Sequence, residues 1–390
     1  MVAFTFPGQG SQRPGMGEPW VEHESSELVD EASEIAGRDV AELLLRADAD
    51  TLQQTRNSQL VTFVMSLVVL DAVERLGVAP SAAAGHSLGE YTALTATGAL
   101  SFADGVRIVA ARGEAMQVAA EDNPGTMAAI LGLDDDDADS ACRRADGDVW
   151  VANFNAPGQV VIAGAPDAVA AAGAIAKEMG AKRVMPLAVG GAFHTPYMGQ
   201  ARDELRKAIA EATLREPDVP VAANIDARLH TDPDDWGGIL SAQLCSPVRW
   251  RQSVQRLFDD GCRTFVELGA GAVLTGMAKR IVPEAKAFAV NTPDDLDKLL
   301  EILAGDAPHP KALDGEHNYM SERIVVSPAA GIFTRLPHWE DGARVEVGDV
   351  LGHIGDVEVR SLFAGSIGGF NALDGERVLA SQPIVWLRTA

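Results

Sequence analysis

Apolar and polar positions follow helical and strand spacings up to residue 305, lose their pattern at 306–321, and follow strand spacing alone after that. The apolar run Val2–Phe6 predicts a buried first strand, followed by a Gly-rich loop over 7–17. Residues 22–46 repeat apolar positions at helical spacing and predict one amphipathic helix. Residues 59–76 are apolar nearly all round and are stopped by Gly77, which predicts a buried helix. A small apolar run at 78–84 predicts a second buried strand. Helix formers predict helices over 88–100 and 103–120.

The texture changes at Gly125. Thr126–Leu131 predicts a strand, 137–145 a helix, 149–153 and 159–163 strands, 166–180 a helix and 183–187 a strand. That β-α-β-β-α-β order matches a ferredoxin-like module. It is inserted in a larger α/β domain, which resumes after Val189 with helices over 198–212 and 251–260 and a strand over 264–269. The predicted organisation is a core at 1–122 and 190–305, an insert at 123–189, a Pro-rich polar linker at 306–321 and a β domain at 322–390.

The last of these carries an internal repeat. Ser327-Pro328-Ala329-Ala330-Gly331 returns as Ser361-Leu362-Phe363-Ala364-Gly365, and Asp341-Gly342-Ala343-Arg344-Val345 returns as Asp374-Gly375-Glu376-Arg377-Val378. Val350-Leu351-Gly352-His353-Ile354 returns as Pro383-Ile384-Val385-Trp386-Leu387. Two matched halves predict a small two-fold sandwich.

Composition narrows the function classes. The 390 residues suffice for more than one core, and 47% hydrophobic with 23% charged content is ordinary for a globular protein. No run of about 18 apolar residues occurs, so no transmembrane helix is expected. Residues 1–6 lack a basic n-region and show no signal peptide. Cys142, Cys245 and Cys262 have no C-x-x-C spacing, which fits a reducing cytoplasm and gives no metal site. A net charge of −24 argues against nucleic-acid or anionic-membrane partners. The acidic block Asp134-Asp135-Asp136-Asp137 reads as a solvated turn opening a helix rather than a metal site.

Candidate chemistry centres on Gly85-His86-Ser87-Leu88-Gly89-Glu90, a G-x-S-x-G between a predicted strand and a predicted helix. Such a turn pushes the serine out at a strained elbow, and its two glycines leave room where strand and helix approach. The helix N-terminus behind Ser87 offers free N–H groups to an oxyanion. The 7–17 loop lacks the Gly-Lys-Ser/Thr ending and the G-x-G-x-x-G that a phosphate cradle needs. It fits instead a loop at a strand's carboxyl end, with a Gln amide facing a pocket. Arg112 lies among small residues, and Arg107 reads as a solvated stem. His194, in the Gly-rich loop 190–197, is the candidate base for Ser87. The other six histidines outside the Ser motif stand in charged, linker or tail contexts.

Together these residues resemble the malonyl-CoA:acyl carrier protein transacylases and the acyltransferase domains of polyketide synthases. The resemblance covers residues 1–305 and rests on Gly8-Gln9-Gly10-Ser11-Gln12, Gly85 to Glu90, Arg112-Gly113, Asn155-Ala156-Pro157-Gly158-Gln159, Ala192-Phe193-His194 and Gln243 before Pro247. It implies an α/β-hydrolase-like core with an inserted ferredoxin-like subdomain. It implies Ser87 as nucleophile, His194 as base, Gln9 and the N–H of Leu88 at the oxyanion site, and Arg112 on the substrate's free carboxylate. Gln243 would stand beside His194, where this family orients the imidazole with a main-chain carbonyl. Phe193 before the histidine accompanies malonyl selection. Malonyl-CoA and acyl carrier protein are the implied partners, with the CoA thioester as substrate, no bound cofactor and no metal.

The tail resembles biotinyl/lipoyl carrier domains, which present a modified Lys at the turn between two quasi-repeats. Here the turn runs 355–359 with Glu358 near that place, and no Lys follows Lys311, so neither biotin nor lipoate is expected. The sequence leaves three other readings open. A polyketide-type acyltransferase would take another acyl-CoA. An esterase or lipase would use the same elbow, but there the order is Ser, Asp or Glu, then His near the domain's end, whereas residues 195–305 follow His194. A degenerate scaffold would lack some catalytic position, and none is missing.

Overall fold

The computed structural model describes residues 1–304, 322–340, 342–355, 357–361, 364–378 and 382–388. The expected linker at 306–321 lies outside the described residues. The chain divides into two units, 1–307 and 308–390.

The first unit opens with β1 (Val2–Phe6), α1 (Glu27–Ala36), α2 (Val40–Leu45), α3 (Ala49–Gln53) and α4 (Thr55–Arg75). The single helix expected over 22–46 is broken. Gly37 adopts φ 62°, which ends α1, and the Asp39 side chain accepts from Glu42 N to start α2. Of the 21 residues of α4, 17 are buried, and Gly77 (φ 74°) follows its end. The helix is long and apolar enough to cross a bilayer, yet it is packed inside this unit as a core helix.

β2 (Ala82–Gly85) leads into α5 (Gly89–Ala96), and α6 (Phe102–Asp122) packs on α4. α5 stops short of the expected 100: the Thr97 hydroxyl donates back to Ala93 O, and Gly98 turns with φ 74°.

Next come β3 (Thr126–Leu131), α7 (Asp135–Arg144), β4 (Val149–Ala156), β5 (Gln159–Gly164), α8 (Pro166–Glu178) and β6 (Arg183–Pro186). They form an antiparallel sheet in the order β4-β5-β3-β6. One face packs Ile130, Val151 and Ile162 against α7 and α8. The first aspartate of the acidic block, Asp134, caps α7 by accepting from Asp137 N, a contact worth about 1 kcal/mol.

The chain then supplies α9 (Gly199–Glu211), β7 (Val221–Ala222), β8 (Leu229–His230), α10 (Pro233–Gln243), α11 (Trp250–Asp259), β9 (Thr264–Leu268), α12 (Val273–Ile281), β10 (Lys286–Val290) and α13 (Asp294–Ala304). Sequence pattern missed α10, although Pro233 at its first turn and the Asp232 cap mark its start. The main sheet runs β10-β9-β1-β2-β7-β8, parallel except for β7 against β8. β1 and β2 lie at its centre, so the loops after them meet at the carboxyl edge, where open α/β sheets place their sites.

The second unit contains β11 (Glu322–Val326), β12 (Gly331–Arg335), β13 (Arg344–Val345), β14 (Val350–Ile354), β15 (Val357–Arg360), β16 (Gly365–Phe370), β17 (Arg377–Val378) and β18 (Pro383–Arg388). Two four-stranded sheets result, β11-β18-β16-β13 and β15-β14-β12-β17. The repeat pairs β12 with β16, β13 with β17 and β14 with β18, so each sheet draws two strands from each half. Phe333, Leu351, Ile367 and Leu387 fill the space between. Glu358, expected in the turn, lies instead in β15 opposite His353, because the chain turns tightly at Gly355 (φ 59°) and pairing resumes at Val357.

Candidate active site

The elbow after β2 is built by sterics. A Cβ on Gly85 would fall 1.8 Å from the Gly89 backbone, and one on Gly89 would fall 2.0 Å from Phe6 O. Only glycine lets β2, α5 and β1 come so close. Between the two glycines Ser87 takes φ 53°, and across the site His194 takes φ 61°. Each left-handed conformation costs about 1–3 kcal/mol and persists because the surroundings fix it.

For Ser87 those surroundings include Asn224, whose Oδ1 accepts from Ser87 N at 2.7 Å while its Nδ2 donates to Gly85 O at 2.7 Å. Ser87 Oγ lies 2.7 Å from His194 Nε2, and His194 Nδ1 lies 2.9 Å from Gln243 O. A carbonyl only accepts, so Nδ1 carries the proton and Nε2 turns its lone pair to Ser87. Burial, reinforced by the nearby Arg112 charge, pushes the His194 imidazole down to about 3.

Arg112 on α6 is fully buried with its guanidinium 5.2 Å from the centre of the Tyr91 ring. Nη2 donates to Ser87 Oγ at 3.1 Å and to Gln243 Oε1 at 3.0 Å, and Nη1 donates to Gln59 Oε1. Its Nε has no partner among the described residues. Ser87 and Gln59, the acceptors of two of these bonds, both line a cavity of about 200 Å³. Gln9, Phe193, His194 and Met277 line it too. Met277 comes from α12, whose N-terminus is held by the buried Glu267 carboxylate accepting from Leu274 N and Thr275 N.

Gln9 Oε1 is buried without a partner among the described residues. Leu88 is buried at the start of α5 and, among the described residues, its N–H meets no acceptor, whereas the N–H of Ser87 is taken by Asn224. His86 is held by Asn155 Oδ1 at 2.9 Å with its ring edge on Trp250.

The structure thus brings Ser87, His194, Arg112 and Gln243 into direct contact, and puts Gln9 on the same cavity. Sequence pattern missed Asn224 and Gln59 altogether, and left Glu90 as a motif letter. Glu90 is fully buried, accepting from Asn224 N at 2.6 Å and from Gln243 Nε2 at 2.7 Å. Nothing in the local sequence marks it as buried: it stands in the first turn of α5, and both its partners come from distant segments.

The pattern that defines the acyl transferase domain matches residues 3–292. The chain belongs to the acyl transferase family. The malonyl CoA-acyl carrier protein transacylase of Bacillus subtilis is 40% identical to it over 307 residues, 77% of this chain and 97% of that one. The enzyme of the same name from Escherichia coli K12 is 42% identical over 309 residues, 77% and 99% of the two chains. A crystal structure of an acyl carrier protein S-malonyltransferase from Vibrio cholerae superposes with a TM-score of 0.74 at 41% identity, covering 76% of this chain and 99% of that one. A malonyl-transacylase solved with a type II PKS acyl-carrier protein gives 0.75 at 38% identity, covering 77% and 99%. For this acyl transferase the family match ends at residue 292, ahead of the second unit.

Proposed function

We propose that the chain transfers a malonyl group from malonyl-CoA to the phosphopantetheine thiol of an acyl carrier protein, in fatty-acid biosynthesis, through a malonyl ester on Ser87. The observation that carries this reading is the convergence on one atom. Ser87 Oγ is 2.7 Å from a neutral imidazole nitrogen and 3.1 Å from a buried guanidinium. A serine hydroxyl is a weak nucleophile at neutral pH, and the imidazole takes its proton as it attacks the thioester carbonyl.

Charge then develops on the thioester oxygen, and the unpaired Leu88 N–H together with Gln9 receives it. One such donor is worth about 2.7–4 kcal/mol. His194 returns its proton to the departing CoA thiolate. The carrier's thiol then repeats the sequence on the ester and regenerates Ser87. No resident cofactor is needed, because Ser87 itself holds the acyl group between the two thiols.

A malonyl group brings a carboxylate that an apolar pocket would reject. Arg112 offers it a planar fork, reached when the Gln59 amide gives up its place on Nη1. The Arg112→Ala variant is expected to lose about 1.5–3 kcal/mol of that interaction, or about 10- to 150-fold in malonyl transfer. Acetyl transfer, with no carboxylate to read, should fall less. Equal losses with malonyl-CoA and acetyl-CoA would remove Arg112 from substrate recognition.

Sheet order supports reading 1–122 and 190–305 as an α/β-hydrolase-like core and 123–189 as a ferredoxin-like subdomain. An esterase triad is disfavoured because a carbonyl, not a carboxylate, faces His194 Nδ1. Residues 322–390 are read as a biotinyl/lipoyl-like fold without the lysine that chemistry needs. The three cysteines are unpaired, which suits a cytoplasmic enzyme. All the site residues precede residue 305, so a chain ending at Gly305 is expected to malonylate Ser87, read by intact mass, at close to the full-length rate. Loss of labelling in a shortened chain that keeps its circular dichroism would make the second unit part of the active site.

A further inference from the structure

One buried ionisable group has no task in this mechanism. Glu90 makes no ion pair among the described residues, and its two oxygens are taken by two different elements. Oε1 accepts the N–H of Asn224, the residue that ties Ser87 N and Gly85 O. Oε2 accepts Nε2 of Gln243, whose carbonyl meets His194 and whose Oε1 meets Arg112. We propose that Glu90 is a positioning residue: one oxygen holds Asn224, the other holds the Gln243 amide, and Ser87, His194 and Arg112 keep a common register through it. This rests on the roles given above to those three residues.

The direction of the Gln243 amide is the crux. A half-turn of that amide exchanges oxygen for nitrogen at almost no change in shape. As placed, Nε2 faces two acceptors, Ser87 O at 2.8 Å and Glu90 Oε2, and Oε1 faces the guanidinium. Reversed, the amide would set donor against donor at Arg112 and acceptor against acceptor at Glu90. An ionised carboxylate can only accept, so it enforces the observed direction. A glutamine at position 90 offers either end and no longer does.

Titration follows from the same geometry. The groups facing Glu90 are Arg112 on α6, Asp226 after β7, Tyr91 on its own helix, and the amides of Asn224 and Gln243. Burial wins among them and pushes the Glu90 carboxyl up to about 7. The proton that arrives as pH falls points an O–H at an N–H donor and loosens the network. His194, already neutral down to about 3, does not titrate in that range.

The test compares the full-length chain with Glu90→Gln in single-turnover malonylation and acetylation from the two CoA esters, across about pH 5.5–8.5. Peptide mapping of the wild-type label on Ser87 checks the underlying mechanism separately. Expected are a malonylation rate about 10- to 100-fold lower in the variant, as for a small misplacement of reacting groups, and a reduced malonyl-to-acetyl ratio. The acid limb of the wild-type profile near pH 7 should be absent from Glu90→Gln. A folded variant with the wild-type rate, ratio and profile overturns the proposal while leaving Ser87 labelled. If Glu90→Gln does not fold, the wild-type profile decides: a limb near pH 7 supports the proposal, and a flat profile overturns it.

Discussion

Replacing Ser87 by alanine is expected to stop transfer, with turnover down about 10⁴-fold or more and no mass gain after mixing with malonyl-CoA. The fold should survive. The elbow's own ties run through main-chain atoms, Ser87 N to Asn224 and Ser87 O to Gln243, and alanine keeps both. Arg112 Nη2 retains Gln243 Oε1 when the hydroxyl goes. What is lost is the oxygen at which imidazole and guanidinium meet, and among the described residues no other hydroxyl bonds to both. Turnover near the wild-type rate in Ser87→Ala would refute the covalent mechanism outright.

His194→Ala should lower the rate by about 10²–10⁴-fold, the usual worth of a placed base. It should not reach zero, since the Leu88 N–H and the cavity still act on bound substrate. The sign of the His194 shift makes this a statement about a neutral ring. Lowered to about 3 by burial and by Arg112, the imidazole is unprotonated and ready to accept at any physiological pH. A malonyl carboxylate on Arg112 offsets part of that positive field and leaves the base stronger when the right substrate is bound. The check is single-turnover labelling of Ser87: a His194→Ala variant that labels as fast as wild type would show that another group takes the proton.

Local pattern made the elbow legible because part of its constraint is local: a Cβ on Gly85 would strike the backbone of Gly89 four residues on, so the spacing of the motif itself carries it. The same holds for the order of elements across 123–189, where spacing and turn residues agree. What stayed hidden was long-range. Glu90 and the N–H of Asn224 are 134 residues apart in sequence, and nothing near either residue announces the bond. The break at Gly37 was written in the chain as a glycine followed by a capping aspartate, and helical periodicity on both sides masked it. The helix α10 was obscured by its Gly237-Gly238 pair, which reads as a turn in isolation but is carried by buried Trp236, Ile239 and Leu240.

The strand pairing in the second unit also sets its first described strand beside its last. β11 runs antiparallel to β18, with Glu322 opposite Arg388. The first and last described residues of the sandwich are therefore about one strand spacing, roughly 5 Å, apart. A sandwich whose outermost described strands start and finish side by side behaves as a closed bead: cut at Glu322 and Arg388, it can be set into a surface loop of an unrelated host without either end of that loop having to move.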